Sequence, residues 1–190
     1  LRHTISGQRK VMKKLKSTIT DNLIEIPYGT PPPYTRLNKM FFQGSFDVCC
    51  TGKVIRCKLA SLYNKSPYIE LLSSPRNYSK TVCGNNLPIC KTNCESYMMH
   101  YTYCLIPSGD TALTARLYTS ISYGCIPVII SNIKGAFSKS IDYKKFSIFV
   151  DVKKFIKNPL VLEEVIKTNN VSILTENLKI YQKELLWYSN

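Results

Sequence analysis

Residues 103–131 read YCLIPSGDTALTARLYTSISYGCIPVIIS, and this stretch decides the fold. It opens with a short apolar run that predicts a buried strand, and residues 107–110 follow as a glycine-containing turn. A helix is predicted from about Thr114 to Tyr123, with Gly124 as its C-cap. The next apolar run, Ile126 to Ile130, predicts a second buried strand. A strand, a turn, a helix and another strand form the repeating unit of parallel sheets.

The same alternation continues on both sides of this unit. Short apolar runs predict strands, and apolar residues at helical spacing predict helices. The pattern as a whole predicts an α/β fold, a Rossmann-like parallel sheet flanked by helices. The further predicted strands are Met40–Gln43, Tyr68–Leu72 and Phe146–Val150, and the further predicted helices are Val54–Tyr63, Asn93–His100, Pro159–Lys167 and Ser172–Trp187.

The beginning of the chain differs in composition from the rest. Its first part is basic, and residues 27–33 contain four prolines, which favour extended backbone with few hydrogen bonds. The sequence therefore predicts a basic segment and Pro-rich linker over residues 1–37. It predicts one Rossmann-like domain over residues 38–190.

The turn before the central helix has the composition of a phosphate site. The N–H groups at the start of a helix and the helix dipole both favour an anion there. Gly109 has no Cβ and lets the backbone approach that anion closely. Arg116, one turn into the helix, offers a planar fork that suits phosphate oxygens. Hydroxyl donors are available from Ser108, Thr111 and Thr114.

Asp110 has two interpretations in this turn. It can belong to the binding site, or it can hold backbone N–H groups as a turn or N-cap residue. The second interpretation is favoured.

Lysine and arginine outnumber acidic residues 26 to 12, which gives a formal net charge of +14. Such a charge attracts phosphorylated nucleotides, acidic glycans, nucleic acid or membrane headgroups. Because the lysines are spread along the chain, the charge alone identifies no partner.

Eight cysteines fit disulfides in an oxidising compartment, although the sequence does not determine their pairing. A zinc site at Cys90 and Cys94 is disfavoured because no second pair and no suitably spaced histidine accompanies them. Cys104 and Cys125 lie in apolar strands and are predicted to be buried core residues rather than nucleophiles.

Several motifs in this order closely resemble the exostosin family of glycosyltransferases. Residues 103–111, YCLIPSGDT, resemble a family strand and turn of the type FCLxPxGD, and Arg116-Leu117-Tyr118 stands where the family has an arginine triplet. Residues 124–130, GCIPVII, resemble the family's GCIPVI strand. Flanking matches are Phe41–Ser45, Gly52–Arg56, Ile141–Tyr143 and Phe146–Val150.

This resemblance implies the C-terminal, donor-binding half of a GT-B enzyme. Such enzymes transfer a sugar from UDP to a glycan acceptor with inversion, without a bound metal, in the Golgi lumen as type II membrane proteins. A second glycosyltransferase subunit is a further implied partner, and nucleic acid is not. Arg116 matches the family's arginine near the diphosphate. The binding residues that follow from the turn and the resemblance together are Ser108, Gly109, Asp110, Thr111, Thr114, Arg116 and Thr119.

Two departures from the family pattern concern the donor. Thr119 stands where the family commonly has an acid, whose two oxygens would bind ribose hydroxyls. Ser138 replaces a glutamate. One alternative is that the loop has shifted and Asp142 serves instead. Others are a non-catalytic subunit or a module that binds acidic glycans. No catalytic residue is identified.

Overall fold

A computed structural model describes residues 36–74, 82–92, 94–132 and 135–185. Five parallel strands form one sheet in the order β2-β1-β3-β4-β5. The predicted α/β sheet is therefore confirmed. The strands are β1 (Leu37–Gly44), β2 (Ile69–Ser73), β3 (Tyr101–Pro107), β4 (Ile126–Ile130) and β5 (Ile148–Phe149).

The helices occupy the connections between these strands and the end of the described chain. They are α1 (Cys50–Ala60), α2 (Ala115–Ser122), α3 (Val152–Lys157), α4 (Val161–Thr168) and α5 (Val171–Leu185), with 3₁₀ helices at Cys94–His100 and Tyr143–Lys145. Gly124 has a φ of +64°, as expected for the glycine that ends α2.

Two elements differ from the predictions. The strand predicted from Phe146 is confined to β5, because residues 143–145 form a 3₁₀ helix whose last turn Phe146 closes. The sequence does not predict α3, since six residues are too few to display a helical period. Asp151 caps this helix by accepting a hydrogen bond from the Lys154 N–H at 2.8 Å. The predicted contribution of Trp187 to the last helix lies outside the described residues.

An isolated parallel bridge joins Ile89 to Ser73 at the outer side of β2. If Ile89 is counted as a strand, it is the third along the chain. The six strands then lie in the 3-2-1-4-5-6 order of dinucleotide-binding folds. The chain adds β2 on one side of β1 and then adds β3 and the later strands on the other side. The boundary between β1 and β3 is therefore the switch point of such a sheet.

The core lies on the central strands, because every residue of β3 and β4 is buried. Cys104 and Cys125 are fully buried, as predicted, and they form a disulfide. Two further disulfides join Cys57 to Cys83 and Cys90 to Cys94. The pairing of Cys90 with Cys94 uses the thiols that a zinc site would need.

The described residues belong to one compact unit, Thr35–Asn190. The predicted basic segment and linker, residues 1–37, lie almost wholly outside the described part and stay a prediction. Within the described ranges, no helix combines the length and the apolar character that crossing a membrane requires.

Candidate functional site

The carboxyl ends of β1 and β3 form the candidate site. Ligands of open α/β sheets bind outside these ends, at the point where the strand order reverses. The loop that contains the predicted phosphate-binding turn, residues 108–114, follows β3 directly. Residues Gly44 and Ser45 stand beside it at the end of β1. The fold therefore brings the predicted turn to the switch point.

Arg56 of α1 joins the two strand ends across the switch point. Its Nε donates to the Ser108 carbonyl oxygen at 3.0 Å, and its Nη1 donates to the Ser45 carbonyl oxygen at 2.6 Å. Its guanidinium carbon lies 5.5 Å from the centre of the Phe42 ring. Arg56 is only 6% exposed. It therefore fixes the distance between the two sides of the site while keeping a positive charge there.

Arg116 of α2 lies against the same aromatic ring. Its guanidinium carbon is 4.9 Å from the centre of the Phe42 ring. Its Nη1 is buried and has no hydrogen-bond partner among the described residues. A buried guanidinium nitrogen without an acceptor is costly, and such groups commonly belong to a binding site.

Both guanidinium groups have a lowered pKa, mainly because of burial. Burial, together with the nearby charge of Arg56, lowers the pKa of Arg116 to about 10, against the opposing effect of Glu95. Burial also lowers the pKa of Arg56 to about 10, against the opposing effect of Asp110. Both arginines remain charged near neutral pH. A bound anion would compensate the two guanidinium groups for the water that they lose on burial. The pair is therefore suited to a diphosphate.

Glycines allow these groups to approach. A Cβ at Gly44 would lie 2.8 Å from Arg116 Nη2 and 3.0 Å from Phe42 Cζ. A Cβ at Gly52, in the first turn of α1, would collide with the carbonyl oxygen of Gly109. A Cβ at Gly109 would lie 3.2 Å from Arg56 Nη2. Gly109 thus shares its surroundings with Arg56, while Arg116 reaches the same strand ends from α2.

The amide of Gly109 is not available to an anion as the turn stands. Its N–H donates to the Thr111 carbonyl oxygen at 3.0 Å. The Thr111 hydroxyl donates to the Leu113 carbonyl oxygen at 2.7 Å, so it stabilises the turn. The turn thus closes on itself at this amide, and the close approach of an anion to Gly109 stays a prediction.

The N-terminus of α2 is more open. Thr114 is the N-cap residue, but its side chain makes no capping hydrogen bond. Its buried hydroxyl has no partner within the described residues. The first N–H groups of a helix have no acceptor inside the helix. The Leu117 N–H already donates to the Thr114 carbonyl oxygen, so the Thr114 hydroxyl and the two amides before Leu117 are the donors that this helix end can offer.

Asp110 holds the neighbouring helix rather than facing an anion. Its Oδ1 accepts a hydrogen bond from the N–H of Cys49 at 2.9 Å, and Cys49 is the N-cap residue of α1. This contact accords with the structural interpretation of Asp110. It also ties the glycine turn to α1 from a second direction.

The residues at the two departures from the family pattern have local roles. The Thr119 hydroxyl donates to the Ala115 carbonyl oxygen at 3.2 Å, inside α2. Ser138 is exposed. Asp142 is also exposed and caps the 3₁₀ helix by accepting from the Lys144 N–H at 3.1 Å. The described contacts of these three residues therefore stay within their own segments.

The exostosin GT47 domain model matches residues 25–165, well over half of the sequence. The chain belongs to the exostosin GT47 family. It is similar to the Arabidopsis thaliana protein named "Probable arabinosyltransferase ARAD1", with 37% identity over 84 residues. These residues are 44% of this chain and 18% of that protein. Exostosin-1 of Drosophila melanogaster is 29% identical over 72 residues, 37% of this chain and 10% of that protein. The matches thus span about a fifth or less of these relatives.

Solved structures confirm the fold class of this exostosin domain. The spinosyn rhamnosyltransferase SpnG superposes with a TM-score of 0.52 at 11% identity, over 84% of this chain and 46% of that one. The glycotransferase of kitacinnamycin superposes with a TM-score of 0.50 at 8% identity, over 86% of this chain and 43% of that one. At these identities the likeness establishes a GT-B-type Rossmann-like fold alone.

Arg56 was not predicted as a site residue of this exostosin domain. Arg56 lies within the GxIR-like motif Gly52–Arg56, but that motif served only to recognise the family. Its role depends on carbonyl oxygens 11 and 52 residues away in the chain. Ser131, just after β4, was also not among them, and its buried hydroxyl lacks a partner in the described part of the chain.

Proposed function

We propose that this exostosin domain binds the donor of a glycosyltransferase that moves a sugar from a UDP-sugar to a glycan acceptor with inversion. The observation that carries the proposal is that the guanidinium groups of Arg56 and Arg116 both lie against Phe42 at the switch point, where Arg116 has a buried nitrogen without an acceptor among the described residues. Family membership supports the reaction class, since similar proteins are named as arabinosyl- and glucuronosyltransferases.

The arginines account for the proposed chemistry without a bound metal. As the glycosidic bond to UDP breaks, negative charge grows on the diphosphate. Two preorganised cations in a desolvated site stabilise that charge more strongly than water does. Arg116 has the unpartnered nitrogen to bind it. Thr114 and the first amides of α2 add neutral donors, and Ser108, Gly109, Asp110 and Thr111 keep the turn in place.

The setting of the reaction is also part of the proposal. The three disulfides fit an oxidising compartment. We place the domain in the Golgi lumen, as part of a type II membrane protein that presents a glycan acceptor and pairs with a second glycosyltransferase subunit.

Calorimetric titration with UDP tests the binding step. Arg116→Ala should weaken UDP binding by about 1.5–3 kcal/mol, because charge-assisted hydrogen bonds to phosphate are lost. Lys179→Ala is the matched control, since Lys179 is an exposed cation on α5 and should leave the affinity unchanged. Equal affinities for all three proteins would remove Arg116 from the site, and no binding by the unmodified chain would refute the proposal.

A further inference from the structure

Two adjacent cysteines at the start of α1 differ from the other six. Cys49 and Cys50 are free and exposed, whereas the remaining cysteines form three disulfides. Their sulfur atoms lie 2.6 Å apart, closer than two unbonded sulfur atoms pack and about half an ångström longer than a disulfide bond. Two accessible thiols this close can join directly once an oxidant accepts their electrons.

The pair is in contact with the turn at the candidate site. The Cys49 N–H donates to Asp110 Oδ1 at 2.9 Å, and the Cys49 thiol donates to the Asp110 carbonyl oxygen at 3.7 Å. The helix that begins at Cys50 carries Gly52, which packs on Gly109, and Arg56. A rearrangement at Cys49 therefore acts on the turn and on α1 together.

A disulfide between sequence neighbours is geometrically unfavourable. Neighbouring Cα atoms are about 3.8 Å apart, whereas most disulfides span about 4.4–6.8 Å. Cys50 already has a φ of +59°, a conformation that side chains other than glycine adopt at a cost. A bond formed here is readily reduced again, unlike the three buried or long-range disulfides.

We propose that Cys49 and Cys50 form a redox-active dithiol that is oxidised to a vicinal disulfide and reduced again by thiol–disulfide exchange. We further propose that oxidation loosens the Asp110 contact and weakens donor binding. Only this last effect on donor binding rests on the proposed function.

The exchange is balanced with a small disulfide such as glutathione disulfide as the oxidant. The Cys50 thiolate attacks one of its sulfurs, a mixed disulfide forms, and one glutathione leaves as a thiolate. The Cys49 thiolate then attacks the Cys50 sulfur and displaces the second glutathione. The two cysteines together lose two electrons and two protons. Glutathione disulfide gains them and becomes two glutathione thiols. The close contact with Cys50 raises the pKa of the Cys49 thiol, which fits its role as the second attacker.

The redox step is tested on the full chain with its three disulfides intact. The protein is equilibrated at graded ratios of reduced to oxidised glutathione, quenched with acid, alkylated and digested. Mass spectrometry should find the peptide with Cys49 and Cys50 changing from the alkylated dithiol to the disulfide, while the other three pairs stay oxidised. Cys49→Ser and Cys50→Ser should stop at the mixed disulfide. A pair that stays alkylated at every ratio, or that accumulates glutathione in the unmodified chain, overturns the proposal.

Two readouts test the coupling to the turn. Oxidation should accelerate hydrogen exchange of the Cys49 amide about tenfold, since its bond to Asp110 is lost. It should raise the Kd for UDP by about three- to tenfold. The Cys49→Ser/Cys50→Ser double variant should respond in neither measurement. Unchanged exchange after oxidation refutes the coupling. If UDP binds in neither redox state, the proposed function fails, whereas the exchange rate still decides the coupling.

Discussion

The two ends of the sheet each hold a partly buried arginine, and the two side chains differ in their hydrogen-bond partners. At the amino end, Arg36 donates from Nη1 to the carbonyl oxygens of Met98 and Tyr101, at 3.2 and 2.8 Å. Its Nη2 donates to the Tyr123 carbonyl oxygen at 2.7 Å. At the carboxyl end, Arg116 has a buried Nη1 without an acceptor among the described residues.

This difference fits a structural role for the amino end and the proposed donor site at the carboxyl end. Burial lowers the pKa of both arginines, but only Arg36 receives compensation from backbone carbonyls. The amino end also carries the Cys104–Cys125 disulfide next to the start of β4. At the carboxyl end, where α/β sheets bind ligands, Arg116 Nη1 and the Thr114 hydroxyl have no acceptor among the described residues, as the proposed donor site requires.

Removing Arg36 should have the largest effect on the free energy of unfolding. Arg36→Ala leaves three carbonyl oxygens without their donor, so the free energy of unfolding should fall by at least about 3 kcal/mol. Urea unfolding of the disulfide-intact chain measures it. Arg36→Lys keeps the charge but not the planar guanidinium. Its free energy of unfolding should lie between those of the unmodified chain and Arg36→Ala. A loss below about 1 kcal/mol would mean that the amino end is not held by this side chain.

Gly52→Ala should have the second largest effect on the free energy of unfolding. Its methyl group would meet the Gly109 carbonyl oxygen, which is backbone and cannot move without shifting the turn. We expect a loss of about 2 kcal/mol in the free energy of unfolding, together with weaker UDP binding. If the melting temperature is unchanged, α1 and the turn are not in the close contact described.

Gly44→Ala is the matched change on the other side of the site. Its methyl group would meet Arg116 Nη2, the end of a flexible side chain, so folding should be affected by less than about 1 kcal/mol. Displacing the guanidinium should weaken UDP binding by about 1 kcal/mol, measured by calorimetry. An effect on stability larger than that on binding would reverse the assignment of this end as the binding end.

Arg116→Met should produce the smallest change, and in the favourable direction. A base whose pKa is lowered by folding destabilises the folded state at every pH below about 10, so removing it should stabilise the ligand-free protein. We expect a gain of about 0.5–1 kcal/mol in unfolding experiments, with no stabilisation by UDP. A less stable variant would indicate that Arg116 is a structural residue like Arg36.

The regular pattern of the chain made the fold predictable. The apolar run of β4 was predicted with its observed bounds, and α2 ends before Gly124 as its sequence requires. In contrast, α3 was not predicted, because its six residues carry a capping aspartate but no period. The cysteine pairs also could not be assigned, because pairing depends on which strands and loops become neighbours.

The sequence by itself determined that residues 103–131 form a strand, turn, helix and strand, and that an arginine follows the turn. These are local properties, since periodicity and glycine conformations are read from adjacent residues. Only the tertiary structure decided that Arg56 joins Arg116 at the switch point, that Gly109 uses its own amide, and that Asp110 holds α1. Each of these depends on atoms that are distant in the chain and meet because parallel strands align their carboxyl ends.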